Sequence, residues 1–410
     1  MHEQFPQIAR VRQHLTADRV DDIAAQVHCE LDKLPLAELV QPGMRVAVGV
    51  GSRGIACIRD VVAPLVERLL ALDTRPFLVP AMGSHGGGNA EGQHEVLIGY
   101  GLGELGVPIE SSMEATQIGT TERGMPVYTD RNAAQADAII VVNRIKPHTS
   151  FRAKWESGLT KMLAVGLGKE EGAATIHAWG VAEAIPEAAA VVIDKLPVVA
   201  GIGIVENGHH QPAQIRALRG DAIMQQEPAL LEEAWRHLPR IPLEPLDLLV
   251  LQEIGKDISG TGMDLNVVGM WRRNGGPVQP AFRVVTALDL TPNSHGNGVG
   301  VGYCDLVPQR LIDKIDFAAT YTNCLTASNF NGAKVPITLP TDREVIQAGL
   351  PRTNPTGARL VIARNTLDLG EFWVSAALLD DVAAEPLLDQ VGPLHPLTFD
   401  AQGALQLPQS

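Results

Sequence analysis

A chain of 410 residues is too long to fold around one ordinary hydrophobic core, so its length predicts two domains. Hydrophobic residues at 45% and charged residues at 20% are typical of a folded protein and exclude a disordered one. A formal net charge of −14, without a long basic run, argues against nucleic acid or an anionic membrane surface as a partner. A small anionic substrate needs only a few local cations and stays possible.

The N-terminal residues MHEQFPQIARVRQHL lack the apolar stretch of a secretory signal. No window approaches the roughly 20 apolar residues that a membrane-spanning helix requires. The four cysteines, Cys29, Cys57, Cys304 and Cys324, are scattered and form no CxxC pair. This pattern disfavours a disulfide framework or a thiolate zinc site, and we expect a reducing, cytoplasmic environment.

Short apolar runs alternate with helical patterns along most of the chain. Apolar residues recur at helical spacing over residues 56–72, which predicts a helix there. Alternation of strands and helices is typical of crossover units, so we expect an α/β fold with mainly parallel sheets. The predicted strands cover residues 45–50, 76–81, 137–143, 196–205, 246–252, 283–290 and 359–363.

A domain boundary is predicted where a helical pattern gives way to a link rich in proline. We expect an N-terminal catalytic domain over residues 1–225, a hinge helix and linker over 226–245, and a C-terminal α/β domain over 246–365. The tail, residues 366–410, is expected to return to the N-terminal domain. The active site is expected in the cleft between the two domains.

The turn after the first predicted strand, residues 49–54, reads GVGSRG and has the form GxGxxG. In a dinucleotide site such glycines let backbone amides approach a pyrophosphate, but an acid is also required at the end of the second strand. The second strand ends in AMGSH without a carboxylate. NAD therefore stays an alternative, beside a glycine turn that binds nothing. Arg53 in this turn is either a solvated arginine or a bidentate ligand for a carboxylate or phosphate.

Histidines follow two further predicted strands. His85 lies in the turn Gly83-Ser84-His85, and His148 follows Pro147. Because the carboxyl ends of parallel strands share one edge, we expect these rings near Arg53. Imidazoles titrate near neutrality and are suited to moving protons, which argues for an enzyme, although a lone histidine is more often structural.

Two lysines stand in glycine-bearing turns. Lys161 ends the sequence SGLTK, and Lys256 follows the first strand of the predicted second domain. A partly desolvated lysine loses its proton easily and becomes a nucleophile, whereas a snorkelling or surface lysine is the alternative. His177 has apolar neighbours, which predicts a buried, hydrogen-bonded ring. No two-histidine helix motif occurs, so a metal would have few clustered protein ligands.

Taken together, these residues make the chain resemble the nickel-pincer nucleotide-dependent lactate racemase family over most of its length. The family's covalent lysine follows a Ser-Gly-Gly-x-Lys turn, here Ser157 to Lys161, with Leu159 at the second glycine. The family's nickel-binding histidine lies sixteen residues beyond that lysine, at His177. The other matched motifs are Gly83-Ser84-His85, Pro147-His148, Ser52-Arg53-Gly54 and the second-domain lysine, Lys256.

The resemblance implies a racemase or epimerase that transfers hydride between a 2-hydroxy acid and a lysine-tethered nickel-pincer pyridinium nucleotide made by cofactor-synthesis enzymes. The family's nickel is held mainly by the cofactor's own sulfurs and a carbon, so one imidazole completes the site. The implied catalytic residues are His85, His148, Arg53 and Lys256. The implied cofactor-binding residues are Lys161, Ser157, Gly158, Gly83 and Ser84, with His177 on the metal.

An acid that the family carries three residues before its arginine is replaced by Val50. We therefore expect a 2-hydroxy acid larger than lactate as the substrate. The alternatives are an NAD-dependent enzyme that acts on a 2-hydroxy acid in the same cleft, and a non-catalytic homologue that binds a small molecule.

Overall fold

The structure is a computed structural model that describes residues 5–52 and 54–408. The chain divides into two compact units, each described here by itself. The N-terminal unit is Thr16–Leu238, and the C-terminal unit runs from Pro239 onward and includes the segment that ends at Leu15. That segment forms the first strand, β1 (Gln7–Gln13).

Helices and strands alternate along the N-terminal unit. Its helices are α1 (Ile23–Asp32), α2 (Leu36–Leu39), α3 (Ile58–Ala71), α4 (Ala90–Gly99), α5 (Arg131–Ala134), α6 (Leu159–Lys161), α7 (Lys169–Trp179), α8 (Val181–Lys195) and α9 (Ile223–His237). Its strands are β2 (Arg45–Val50), β3 (Arg75–Pro80), β4 (Ala115–Thr120), β5 (Pro126–Asp130), β6 (Ala138–Arg144), β7 (Val198–Glu206) and β8 (Pro212–Arg219). Short 3₁₀ turns occupy Gly86–Gly88, Leu102–Leu105 and Gly220–Ala222, and Met162–Gly166 forms a π-helical turn.

A five-stranded sheet lies at the centre of this unit, in the order β3-β2-β6-β7-β8. The first four strands run parallel, and β8 is antiparallel to β7. Val46 and Val48 pack into a core with α1 and α3, whereas Ile139 and Val141 pack into a second core with α8. Cores on both faces explain why these strands read as continuous apolar runs rather than alternating ones. The carboxyl ends of the parallel strands meet at one edge, which is where β2, β3 and β6 lead into the predicted site turns.

The C-terminal unit is built around a larger mixed sheet. Its further strands are β9 (Leu246–Leu251), β10 (Phe282–Ala287), β11 (Leu306–Pro308), β12 (Ile337–Leu339), β13 (Leu360–Ala363), β14 (Glu371–Ser375), β15 (Leu388–Gln390) and β16 (His395–Pro396), with a separate pair β17 (Thr398–Phe399) and β18 (Leu405–Gln406). Its helices are α10 (Leu265–Val268), α11 (Trp271–Asn274), α12 (Gln309–Ile312), α13 (Phe317–Thr326), α14 (Asp342–Gly349) and α15 (Leu379–Ala384), with 3₁₀ turns at Pro292–Ser294, Val301–Tyr303, Phe330–Ala333 and Ala376–Leu378.

The strand order in this sheet is β12-β11-β10-β9-β13-β14-β1-β15, and β16 also pairs with β1. The strands from β12 to β13 are parallel, and β14 and β1 add antiparallel pairing. Both units therefore have sheets whose core strands are parallel and covered by helices, which confirms the predicted α/β class.

The division of the chain differs from the predicted one. The helix α9, expected in a hinge over 226–245, lies within the N-terminal unit, and the boundary falls between Leu238 and Pro239. The tail, expected to return to the N-terminal domain, supplies β14, β15 and β16 to the sheet of the C-terminal unit. The pairing partner of these strands is β1, so the two ends of the chain satisfy each other's backbone hydrogen bonds. No helix in the described ranges is long and apolar enough to cross a membrane.

Candidate active site

Two of the predicted site turns touch at the carboxyl edge of the N-terminal sheet. Ser52 follows β2, and its Oγ lies 2.7 Å from Nδ1 of His85, which follows β3. Neighbouring parallel strands bring their ends together, which explains this contact. Arg53, the predicted carboxylate ligand in the same turn, lies outside the described residues.

The turn that carries His85 depends on glycine and on a buried glutamine. Gly83 has a φ of +58°, and a Cβ there would stand 3.3 Å from the Val165 carbonyl oxygen. Nε2 of Gln93, a fully buried side chain on α4, donates to the Gly83 carbonyl at 2.7 Å and to the His85 carbonyl at 3.2 Å. The Gln93 side chain therefore fixes the main chain on both sides of the exposed Ser84.

A fully buried lysine anchors that glutamine. Nζ of Lys169 donates to Oε1 of Gln93 at 3.2 Å and to the Pro80 carbonyl at 2.6 Å, and it pairs with Oδ2 of Asp130 at 3.0 Å. Burial lowers the pKa of Lys169, and the charge of Asp130 opposes this shift. Sequence reasoning missed this network, because Lys169, Gln93 and Asp130 are distant in sequence and no spacing pattern joins them.

His148 lies in a short loop closed by a buried carboxylate. Oε2 of Glu156 accepts a hydrogen bond from the His148 amide at 2.6 Å, and Oε1 accepts one from the Ala153 amide at 3.3 Å. The ring stacks against Phe151 with centroids 4.3 Å apart, and its Nδ1 accepts from the Ser150 amide at 3.0 Å. Burial raises the pKa of Glu156, while the hydrogen bonds from these amides oppose the shift. Glu156 also escaped the sequence analysis.

The turn before Lys161 is held by another buried acid. Oε2 of Glu227, on α9, accepts from the amide and the hydroxyl of Thr160 at 2.7 Å and 2.6 Å. A Cβ on Gly158 would overlap Oε1 of Glu227, so glycine is required there by the carboxylate. Burial raises the pKa of Glu227 to about 7, against the effect of the hydrogen bonds.

Leu159, which replaces the second glycine of the family turn, is a core residue. Its side chain is fully buried, and its Cδ1 lies 2.9 Å from where a Cβ on Gly201 would be. The departure from the family pattern therefore fills the core over β7. Ser157, at the other end of the turn, is bridged through its main chain to Lys146.

The run that carries Lys161 is joined to the turn that carries His85. Lys161 is half-buried at the end of α6 and leads directly into the π-helical turn Met162–Gly166. The Gly166 carbonyl accepts a hydrogen bond from the Gly83 amide at 3.1 Å. π-helical turns are rare and recur at functional sites, so this irregularity fits a functional lysine.

His177 is exposed near the C-terminal end of α7, so the prediction of a buried ring was wrong. Ala173 lies one turn earlier on the same helix face, 3.7 Å from where a Cβ on Gly83 would be. His177 therefore projects from the helix face that packs against the turn of His85. No cluster of three or more His, Cys, Asp or Glu side chains suited to a metal occurs in residues 5–52 and 54–408.

Lys256 lies in the C-terminal unit and is half-buried. Its Nζ donates to the Gly260 carbonyl at 2.7 Å and to Oδ1 of Asn323 at 2.8 Å, while its amide donates to Ser294 at 2.8 Å. These contacts hold the ammonium group in one place.

We compared the chain with protein-family models, curated proteins and solved structures. Residues 5–188 match the model of the lactate racemase N-terminal domain. A solved structure of the lactate racemase apoprotein from Thermoanaerobacterium thermosaccharolyticum is similar in fold, with a TM-score of 0.56 and 12% sequence identity, over 88% of this chain and 98% of that one. A search of curated proteins found no match.

The fold is that of a two-unit α/β protein, and the matched residues contain every predicted site residue except Lys256. Residues 5–188 thus match the lactate racemase family, and the fold is similar to that of a lactate racemase apoprotein.

Lys169→Met should lower the free energy of unfolding by about 3–5 kcal/mol, because it leaves Asp130 buried without its cation. Adding Asp130→Asn should recover part of this loss, since asparagine keeps an oxygen for the Asn132 and Ala133 amides. Urea unfolding measures both effects. Lys195→Met, on an exposed lysine, is the control, and an equal loss in both single variants would contradict the anchoring role of Lys169.

Glu227→Gln should make stability less dependent on pH. Because burial raises the pKa of Glu227 from 4.5 to about 7, the folded chain holds a proton that the unfolded chain releases between these values. Wild-type stability should therefore fall as pH rises through this window, by up to about 3 kcal/mol, and the variant should lack this contribution.

The measurement is the difference in unfolding free energy between wild type and variant at about pH 5 and about pH 8. Glu232→Gln, on an exposed residue of the same helix, is the matched control. A difference for Glu227→Gln that does not change with pH would refute the assignment.

Proposed function

We propose that this chain racemises or epimerises a 2-hydroxy acid larger than lactate. The observation that carries the proposal is the hydrogen bond between Gly83 and Gly166, which joins the turn of His85 to the run of Lys161. This bond supports the proposal because it brings the chain segments of an imidazole and an amine together, inside the part of the chain that matches the family model. The substrate and the roles of individual residues are part of the proposal.

The donor set suits a metal that brings most of its own ligands. His177 is a single exposed imidazole, and the described ranges hold no cluster of three ligating side chains. A neutral imidazole is a good ligand for nickel(II), and one such ligand suffices when an organic group supplies the rest. Lys161 would hold the nickel-pincer nucleotide through its amine and His177 through the metal. When bound, that group would supply an acceptor for the C2 hydrogen as hydride.

The protein's own part is to hold and return the hydroxyl proton. As the C2 hydrogen leaves, the hydroxyl proton passes to an imidazole, and the substrate becomes a planar 2-oxo acid. Return of the proton to the oxygen, with hydrogen delivered to the opposite face of C2, would give the other enantiomer. The two enantiomers present their hydroxyl groups on different sides, which calls for two bases, His85 and His148.

Carboxylate binding is assigned to cations. Lys256, fixed by Gly260 and Asn323, is one candidate, and Arg53 is the other. Both assignments stay predictions. The remaining partners that we propose are the cofactor-synthesis enzymes, with no nucleic acid and no membrane surface.

The alternative of a dinucleotide enzyme is disfavoured by the turn after β2. A dinucleotide-binding turn opens directly into a helix whose N-terminus faces the pyrophosphate. Here α3 begins only at Ile58, four residues beyond Gly54. The strand β3 ends at Pro80 and continues into buried Ala81 and Met82, so no acid stands where ribose hydroxyls would bind.

His85→Ala and His148→Ala should each lower the rate of racemisation by about 10²- to 10⁴-fold, the usual contribution of a positioned acid–base group. The measurement is chiral chromatography of a panel of 2-hydroxy acids incubated with protein made beside the cofactor-synthesis enzymes. His209→Ala, on an exposed loop histidine, is the matched control. Full activity in either active-site variant would remove that histidine from the mechanism, and wild type inactive on the whole panel would favour a non-catalytic homologue.

Lys161→Ala should prevent covalent attachment of the nucleotide. Intact mass spectrometry of protein made beside the cofactor-synthesis enzymes should show added mass on wild type and none on the variant. Lys154→Ala, on an exposed lysine in the same segment, should keep the added mass. Wild type that carries no added mass and no nickel would count against the tethered cofactor.

A further inference from the structure

The two histidine rings are held at the same nitrogen by partners of different chemistry. Nδ1 of His148 accepts a hydrogen bond from the Ser150 main-chain amide at 3.0 Å. Nδ1 of His85 lies 2.7 Å from Oγ of Ser52, a hydroxyl group. An amide can only donate a hydrogen bond, whereas a hydroxyl can donate or accept one.

This difference controls where each neutral ring carries its proton. A neutral imidazole has one N–H and one lone pair, and the nitrogen that accepts a hydrogen bond is the one without the proton. Neutral His148 therefore carries its proton on Nε2. Neutral His85 can carry it on either nitrogen, because the Ser52 hydroxyl can turn to match.

The main chain around both rings is held by buried side chains. The loop of His148 is closed by Glu156, and its ring is stacked on Phe151. The turn of His85 is held by the buried Gln93 at the carbonyls of Gly83 and His85. Rotation of the Ser52 hydroxyl changes its hydrogen bond to His85 without any change in this main chain.

We propose that Ser52 is a positioning residue that lets His85 exchange tautomers, and that His85 and His148 are therefore unequal as acid–base groups. In terms of the proposed function, on which this step rests, His85 can accept the substrate's hydroxyl proton on Nε2 while its Nδ1 proton is donated to Ser52. His148 meets the substrate in its neutral form with a proton already on Nε2. To act there as a base, as the proposed function requires for one enantiomer, it must first move that proton to Nδ1 and lose the hydrogen bond from the Ser150 amide, so it is the slower of the two bases.

The test is the tautomer of each ring in the full-length protein without cofactor. Chains labelled with ¹⁵N-histidine are examined by long-range ¹H–¹⁵N correlation at about pH 8, where histidines of ordinary pKa are neutral. His85→Gln and His148→Gln assign the signals. We expect an Nε2-protonated ring for His148, and for His85 a mixture that shifts in Ser52→Ala and is kept in Ser52→Thr.

Loss of one neutral hydrogen bond should change the His85 tautomer ratio by roughly two- to tenfold. In the active enzyme Ser52→Ala should lower kcat while KM changes little, because Ser52 acts on the ring rather than on the substrate. His148 protonated on Nδ1 in wild type would overturn the proposal, as would a His85 ratio that is the same in wild type and Ser52→Ala. If the Ser52→Ala variant fails to fold, the wild-type spectrum still tests whether neutral His148 carries its proton on Nε2.

The spectra separate this inference from the proposed function. Wild type that shows the expected tautomers but racemises no 2-hydroxy acid would keep the inference about the rings and defeat the function. Racemisation by a wild type whose two rings have the same tautomer would support the proposed function and contradict the inference about the rings.

Discussion

The site depends on a buried charge pair that contacts no substrate. Lys169 lies wholly inside the N-terminal unit, paired with Asp130, and reaches Gln93 beneath the turn of His85. Its backbone takes a φ of +56°, which is uncommon for a residue with a side chain. A desolvated ammonium group costs several kcal/mol unless it is compensated, and here two hydrogen bonds and the ion pair with Asp130 compensate it. The contacts that stabilise the charge therefore also fix the position of the turn that carries His85.

Buried carboxylates serve the other two functional turns in the same way. Glu156 accepts the amides of the loop that carries His148, and Glu227 accepts the amide of Thr160 next to Lys161. Loop amides have no strand or helix partner, and an unpaired buried amide is costly. An acid from a neighbouring segment supplies the missing acceptor with a well-defined direction. The loop of His148 and the short helix that ends at Lys161 are thus each tied to a buried acid.

The architecture could be predicted because it follows from local patterns. Each predicted strand has a counterpart, and the largest error in its ends is three residues, at the end of β10, where 290 was predicted and 287 is observed. The shared carboxyl edge of the parallel strands could be predicted from their pairing alone, whereas the contact of Ser52 with His85 at that edge was not predicted. What sequence reasoning could not find depends on pairing over long separations. Glu227 lies 67 residues from Thr160, and nothing along the chain marks the two as partners.

The tail was placed incorrectly for a related reason. The strand β14 is only five residues long and could pair with any exposed strand edge, so its apolar content carries no information about its partner. Its register against β1 at one side and β13 at the other is set by tertiary structure. For short strands near the end of a chain, sequence patterns therefore say little about which domain the strand joins.

Two residues, Val50 and Leu159, depart from the motifs of the family that the sequence resembles, and both are core residues in this fold. Val50, which stands where the family has an acid, is fully buried in the core beside α1 and α3, so this backbone directs that side chain away from solvent. Leu159 replaces a glycine, but a glycine at position 201 leaves the room that its side chain fills. The second change is compensated within the core and gives no reason to expect an altered cofactor. The first places an apolar core side chain two residues before Ser52, where it cannot supply the charge that the family's acid would bring to the turn after β2.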